Sequence, residues 1–160
     1  MPTRDKEFWF NISQRFLRKI ELYFRQWNHW YDEQVEDRDL YQSWKKTRVQ
    51  VTWNPDGRVR LRVRWDVRKN TIYELEQVDR GHLIFGDLKY DATRKLKLEG
   101  RLIFFEAEPG VAMSEIEFLW PMGLTPFHWW TYGKGVRYYL MVTQEITKNT
   151  SLWIKYENTR

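Results

Sequence analysis

Arg48-Val49-Gln50-Val51-Thr52-Trp53-Asn54-Pro55-Asp56-Gly57-Arg58-Val59-Arg60-Leu61-Arg62-Val63-Arg64-Trp65-Asp66-Val67-Arg68 alternates apolar and polar residues on either side of a short break. A period of two is the pattern of a strand with one apolar face. In the break, Pro55 presets the first corner of a turn and Gly57 is free to take positive φ. The stretch therefore reads as a β-hairpin. A type I turn with a bulge at Gly57 sets Asn54 opposite Arg58, Val51 opposite Leu61 and Gln50 opposite Arg62, so that the apolar faces coincide. The second strand sends Val59, Leu61, Val63, Trp65 and Val67 to one face. Arg58, Arg60, Arg62, Arg64 and Arg68 go to the other, interrupted by Asp66.

Working towards the C-terminus, a short turn at Arg68-Lys69-Asn70 is predicted to pair Val67 with Thr71 and Trp65 with Tyr73. The same register places Arg64 and Arg62 opposite Glu74 and Glu76. Further strands are predicted over 71–79, 82–90, 95–107, 111–120, 127–132, 136–146 and 151–156, with breaks such as Pro109-Gly110 and Gly133-Lys134-Gly135 between them. Short connections in sequence order imply a mainly β fold, an antiparallel up-and-down meander. Closure removes exposed edges, so the expected form over 46–157 is a barrel of 8–9 strands.

Towards the N-terminus the spacing changes. Trp9, Ile12, Phe16, Ile20, Tyr23, Trp27 and Trp30 recur at helical intervals, with Leu17, Phe24 and Tyr31 on the flank and Arg15, Arg18, Lys19 and Arg25 opposite. The expectation for 7–31 is one long amphipathic helix covering the barrel. Residues 32–45, which open with the acidic Asp32, Glu33, Glu36, Asp37 and Asp39, read as a linker. The whole of 1–160 is expected to be a single domain.

Composition narrows the chemistry. The chain has no cysteine, which excludes disulfides, thiol catalysis and Cys-ligated metals. No apolar run is long enough for a transmembrane helix, and Met1-Pro2-Thr3-Arg4-Asp5-Lys6 has no hydrophobic signal core, so a soluble, cytoplasmic or stroma-like protein is expected. Residues 1–70 hold 16 Lys/Arg against 10 Asp/Glu, and the excess positive charge lies there. His29, His82 and His128 are too scattered to suggest a metal site, and no nucleophile, P-loop or dinucleotide motif is present. Glu115 and Glu117 share a strand face but read as a solvated pair. No catalytic residue and no metal is assigned.

Two features carry the functional expectations. The arginine stripe (Arg58, Arg60, Arg62, Arg64, Arg68) is a candidate platform for anions or an acidic partner, or a solvated face with Arg62 and Arg64 neutralised across the strands. The loop from Trp120 to Trp130 contains two prolines and a glycine, and sends Trp129 and Trp130 to opposite faces. With Trp65, Tyr73 and Tyr138, these two form the candidate lining of a cavity or its mouth.

A leading helix, eight or more meandering strands and an aromatic interior resemble the lipocalin-like, or calycin, barrels, including the lyases that load bilins onto phycobiliproteins. The Gly-x-Trp signature of lipocalins is absent, as Trp27, Trp30 and Trp44 have no glycine two residues before them. The resemblance implies a cavity for an apolar small molecule, tetrapyrrole-like in the lyases, and a chaperone-like carrier without redox chemistry. If there is an activity, it implies chromophore attachment. The other readings are a ligand-free assembly subunit using the basic half and the aromatic loop, and a nucleic-acid binder using the arginine strand. Peripheral membrane contact through the helix is the weaker alternative.

Overall fold

The computed structural model describes residues 5–35, 38–118 and 126–160, with side chains described outside 34–39 and 114–130. Ten strands form, and no helix occurs among the described residues. They are β1 (Asp5–Phe16), β2 (Ile20–Val35), β3 (Arg38–Trp53), β4 (Val59–Ile72), β5 (Gln77–Asp91), β6 (Leu96–Ala107), β7 (Met113–Phe118), β8 (Pro126–Thr131), β9 (Gly133–Thr147) and β10 (Thr150–Thr159). Eight pair antiparallel in the order β1-β2-β3-β4-β5-β6-β9-β10, while β7 and β8 make a separate hairpin. The meander is as expected, but the barrel is not. β1 and β10 are the two ends of an open sheet.

The predicted helix over 7–31 is a strand pair, and the predicted linker over 32–45 is the end of β2 and the start of β3. Aromatic residues on both faces explain the misreading. Phe8, Phe10, Ile12, Phe16, Ile20, Leu22 and Phe24 line one face at period two, while Trp9, Tyr23, Trp27 and Tyr31 stand on the other. Rings on both faces satisfy the helical template as well, but Phe, Trp, Tyr and Ile favour strands. The turn also carries no Gly, Pro, Asn or Asp. Leu17 and Arg18 themselves take positive φ (48° and 55°), and the Lys19 N–H donates to the Phe16 carbonyl at 3.1 Å.

The first hairpin forms with a longer connection than expected. Val51 pairs with Val63 and Gln50 with Arg64, a slip of two residues that preserves which side chains share a face. Gly57 has φ 78°, and the Asp56 carboxylate accepts from the N–H groups of Arg58 and Val59 at 3.0 Å each. These bonds, first that of Arg58 and then that of Val59, hold the Asp56 carboxyl below its ordinary pKa.

The predicted turn at Arg68-Lys69-Asn70 does not form. β4 runs on to Ile72, the chain reverses at 73–76, and Glu76 takes φ 49°. Val67 therefore pairs with His82, Trp65 with Ile84, Arg64 with Phe85 and Arg62 with Asp87. Towards the C-terminus, β6, β7, β8, β9 and β10 lie close to the predicted ranges, though Gly133-Lys134-Gly135 belongs to β9 rather than to a break.

The connections at 17–19, 54–58, 92–95 and 148–149 lie at one end of the sheet. The 73–76 turn and the segment that leaves β6 at 108–112 lie at the other. The chain at 108–113 folds over one face, where Leu83, Phe85, Ile103, Phe105, Ala107, Val111 and Met113 form the buried apolar cluster, with Trp44 against it. A Cβ at Gly81 would come within 2.7 Å of the Met113 sulfur, so the missing side chain is what admits the segment.

Leu17 is 87% exposed, so replacing it forfeits no packing. Putting Asn-Gly at Leu17-Arg18 is expected to raise the urea-unfolding midpoint, by about 1 kcal/mol of stability, because both residues then tolerate the left-handed conformation.

Candidate functional site

The register gives the sheet two unlike faces. The first carries Arg25, Trp27, Tyr31, Gln42, Trp44, Lys46 and Arg48, then Arg62, Arg64, Asp66, Arg68, Asp87, Arg101, Arg137, Lys155 and Glu157. Several of its charges are bonded to one another. Arg48 donates to both oxygens of Asp66 at 2.7 and 2.8 Å, with the Asp66 side chain 2% exposed. Asp87, also buried, takes Arg62 through Nε at 2.9 Å and Arg101 at 3.0 Å. The guanidinium groups of Arg64, Arg101 and Arg62 lie 4.5, 4.7 and 5.3 Å from the centre of the buried Phe85 ring. Lys155 reaches Glu157 at 2.5 Å and Arg137 reaches it at 3.4 Å.

The second face is apolar over eight strands. Following the pairings, it holds Phe8, Phe10, Ile12 and Phe16 on β1, Ile20, Leu22 and Phe24 on β2, and Val49, Val51 and Trp53 on β3. It continues with Val59, Leu61, Val63, Trp65 and Val67 on β4 and Ile84, Leu88 and Tyr90 on β5. Leu96, Leu98, Leu102 and Phe104 follow on β6, Val136, Tyr138, Leu140 and Val142 on β9, and Leu152, Ile154 and Tyr156 on β10. These side chains stay in contact with the surroundings: Val63 is 56% exposed, Phe104 48% and Leu140 62%. No Asp, Glu, Lys or Arg occupies this face from Phe8 to Phe16, Ile20 to Trp30, Thr47 to Trp53, Val59 to Val67, His82 to Tyr90, Leu96 to Phe104, Val136 to Ile146 or Leu152 to Asn158. Gly86 and Gly100 notch it, leaving a groove of about 440 Å³ beside Leu61, Leu88, Tyr138 and Leu140.

The arginine stripe is thus part of the bonded polar face. Arg62 meets Asp87 rather than Glu76, and Arg64 donates to Gln50 at 3.0 Å rather than meeting Glu74. Glu74 instead accepts the Tyr41 N–H at 2.8 Å. Arg68 donates to the Ala112 carbonyl at 2.5 Å, and Arg60 shares the face. Arg58 stands apart in the 54–58 connection, lining a hollow with Asp91, Thr93, Arg94 and Lys97. Of the candidate cavity residues, Trp65 and Tyr138 lie on the apolar face with β5 and β6 between them, about 14 Å apart by strand spacing. Tyr73 sits in the turn, its ring 5.1 Å from that of Tyr41. Trp129 and Trp130 pair with Glu115 and Ser114 in the β7–β8 hairpin; their side chains, like those of Glu115 and Glu117, lie outside the described residues. The continuous apolar face does have a signal in the sequence. It is the period-two run Phe8-Phe10-Ile12, masked by Trp9 within it and by Tyr23 and Trp27 on the paired strand.

Comparison of the chain with protein-family models, curated proteins and solved structures finds no match in any of the three.

Asp87→Asn should destabilise the protein by about 3 kcal/mol in urea unfolding, because Arg62 and Arg101 keep their positions with the carboxylate charge between them removed. Glu106→Gln, in an exposed pair with Lys134, should change it by no more than about 0.5 kcal/mol.

Proposed function

We propose that this chain is the wall of a membrane-embedded β-structure, with its apolar face against lipid acyl chains and its polar face towards a hydrated interior. The observation that carries the reading is the uncharged apolar band that crosses all eight strands opposite a face of bonded charges. A sheet in water hides its apolar face and solvates its polar one. Here the arrangement is reversed, as in a sheet whose outer solvent is hydrocarbon.

Three further features favour lipid over another protein surface as the occupant. The strands run from 10 residues in β10 to 16 in β2 and β3, and roughly 9–11 suffice to cross a bilayer core. The band is also oblique to the ladder. From Ile12 the pairings lead through Phe24, Val49, Trp65, Ile84, Phe104 and Val136 to Arg160, six residues beyond Ile154, the middle of the apolar run on β10. Six residues over seven strand spacings is the drift of a flat slab crossed by strands tilted roughly 30° from its normal. Finally, the Trp and Tyr residues of this face (Trp30, Trp53, Trp65, Tyr90, Tyr138, Tyr156) fall towards the margins of the band, with Phe, Leu, Ile and Val between them, as aromatic girdles do.

The absence of a long apolar helix among the described residues concerns helices and does not bear on strands. Unpaired backbone groups are costly in hydrocarbon, so the reading requires strands from outside this sheet to pair with β1 and β10 in the membrane.

The cysteine-free sequence allows a direct test. Single cysteines at 61 to 65, each carrying an environment-sensitive dye, should alternate in emission in phospholipid vesicles. Brominated lipids should quench the dye at 61, 63 and 65 and spare it at 62 and 64. Uniform quenching, or none, would overturn the proposal, and a discrete dimer in water with the odd positions protected would assign the face to a second copy. Val63→Arg should impair insertion, at a cost of about 2–4 kcal/mol near the bilayer centre.

A further inference from the structure

Just outside the apolar band, at the end of the sheet away from the 54–58 connection, three cations cluster in one row. Lys45 on β3 lies directly opposite Lys69 on β4, and Lys69 directly opposite Arg80 on β5. Each stands two residues beyond the uncharged stretch of its strand, which ends at Thr47, Val67 and His82. Pleating therefore places all three on the apolar face's side of the sheet. Like charges facing each other across a ladder repel, and Lys69 is flanked on both sides. Among the described residues none of the three belongs to an ion pair. The carboxylates close by are engaged elsewhere. Glu108 accepts the Arg80 backbone N–H at 2.6 Å, and Glu106 is held by Lys134 at 3.3 Å.

In a bilayer, the phosphates lie at the edge of the hydrocarbon, where Lys and Arg reach past apolar neighbours to meet them. Trp30, on the same face and paired with Ser43, flanks the row from β2, as an indole at headgroup depth does. We propose that the row is a binding site for an anionic lipid, its headgroup phosphate among Lys45, Lys69 and Arg80 and its acyl chains along Val67 and Trp65. Ammonium and guanidinium groups give short, charge-assisted bonds to phosphate oxygens, which offset the repulsion along the row. A free phosphate would meet the charges alone, whereas a lipid also covers the apolar positions beside them. The inference rests on the membrane reading of the apolar face.

The test is native mass spectrometry of the full chain in non-ionic detergent with equimolar phosphatidylglycerol and phosphatidylcholine. The protein should retain phosphatidylglycerol about tenfold or more over phosphatidylcholine, at a site that saturates. Lys69→Gln should cut that preference by about fivefold or more while raising the thermal midpoint of the lipid-free protein, because it relieves both repulsions. A merely misfolded variant would lower the midpoint. Lys69→Arg should keep the preference. Lys45→Gln with Arg80→Gln, both at exposed positions, should also abolish it and decides the matter if Lys69→Gln does not fold. Arg94→Gln with Lys95→Gln removes two exposed cations at the opposite end and should leave the preference unchanged. An equal loss there, no preference in the unmutated protein, or displacement of the lipid by dissolved glycerol 3-phosphate would overturn the site. A dye at 63 in vesicles of phosphatidylcholine alone reads the membrane proposal without any anionic lipid. Quenching there by brominated lipid, with no preference for phosphatidylglycerol, would overturn the site and spare the membrane reading. No quenching would overturn both.

Discussion

Pleating sends alternate side chains of every strand to opposite faces, and seven consecutive antiparallel pairings carry that parity from β1 to β10. Everything else in the molecule depends on it. A slip of one residue at any pairing would push arginines into the apolar band and leucines among the carboxylates. The bonded charges oppose such a slip because their partners sit on adjacent strands. Arg48 finds Asp66 on the next strand, and Arg62 and Arg101 reach Asp87 from either side. The polar face is therefore a lock on register as well as a surface, and Phe85 at its centre gives the three guanidinium groups an apolar ring to pack on.

The excursion after β6 gives this face its depth. Val111 and Met113 bury themselves against Leu83 and Phe105, and the backbone at Ala112 takes a bond from Arg68. Without that cover the apolar residues scattered on the polar face would have no partner, and a cavity beside Trp44 and Lys46 would lose its Ala112 wall. Among the described residues a packed core lies on the charged side and none on the apolar side. In water the two sides would be expected to exchange roles.

Part of this is legible in the sequence. The alternation from Val49 to Val67 marks two strands, and the 54–57 break marks their turn, because Pro and Gly are the residues that such a turn selects. Where turns use other residues, the signal fails. Leu17, Arg18 and Glu76 adopt left-handed conformations that their side chains do not advertise, so the β1–β2 connection was invisible and the β4–β5 turn was placed too early, at Asn70. The early turn assigned Glu74 and Glu76 to arginines that in fact meet Gln50 and Asp87. The cation cluster was hidden for a related reason. It exists only when β3 is a strand in register with β4 and β5, whereas the spacing over 32–45 suggests a linker. The expectation of closure came from edge chemistry, which favours a barrel but does not supply the pairing between β1 and β10.

The central claim is that the apolar band is a lipid contact and that its slant across the ladder is strand tilt. Polarised infrared spectroscopy of the full chain in oriented phospholipid bilayers measures that tilt from the amide dichroism. The account expects strands inclined roughly 30–45° from the bilayer normal, with slow amide exchange in the strands. Strands lying in the bilayer plane, or protein that stays in the aqueous phase, would contradict it.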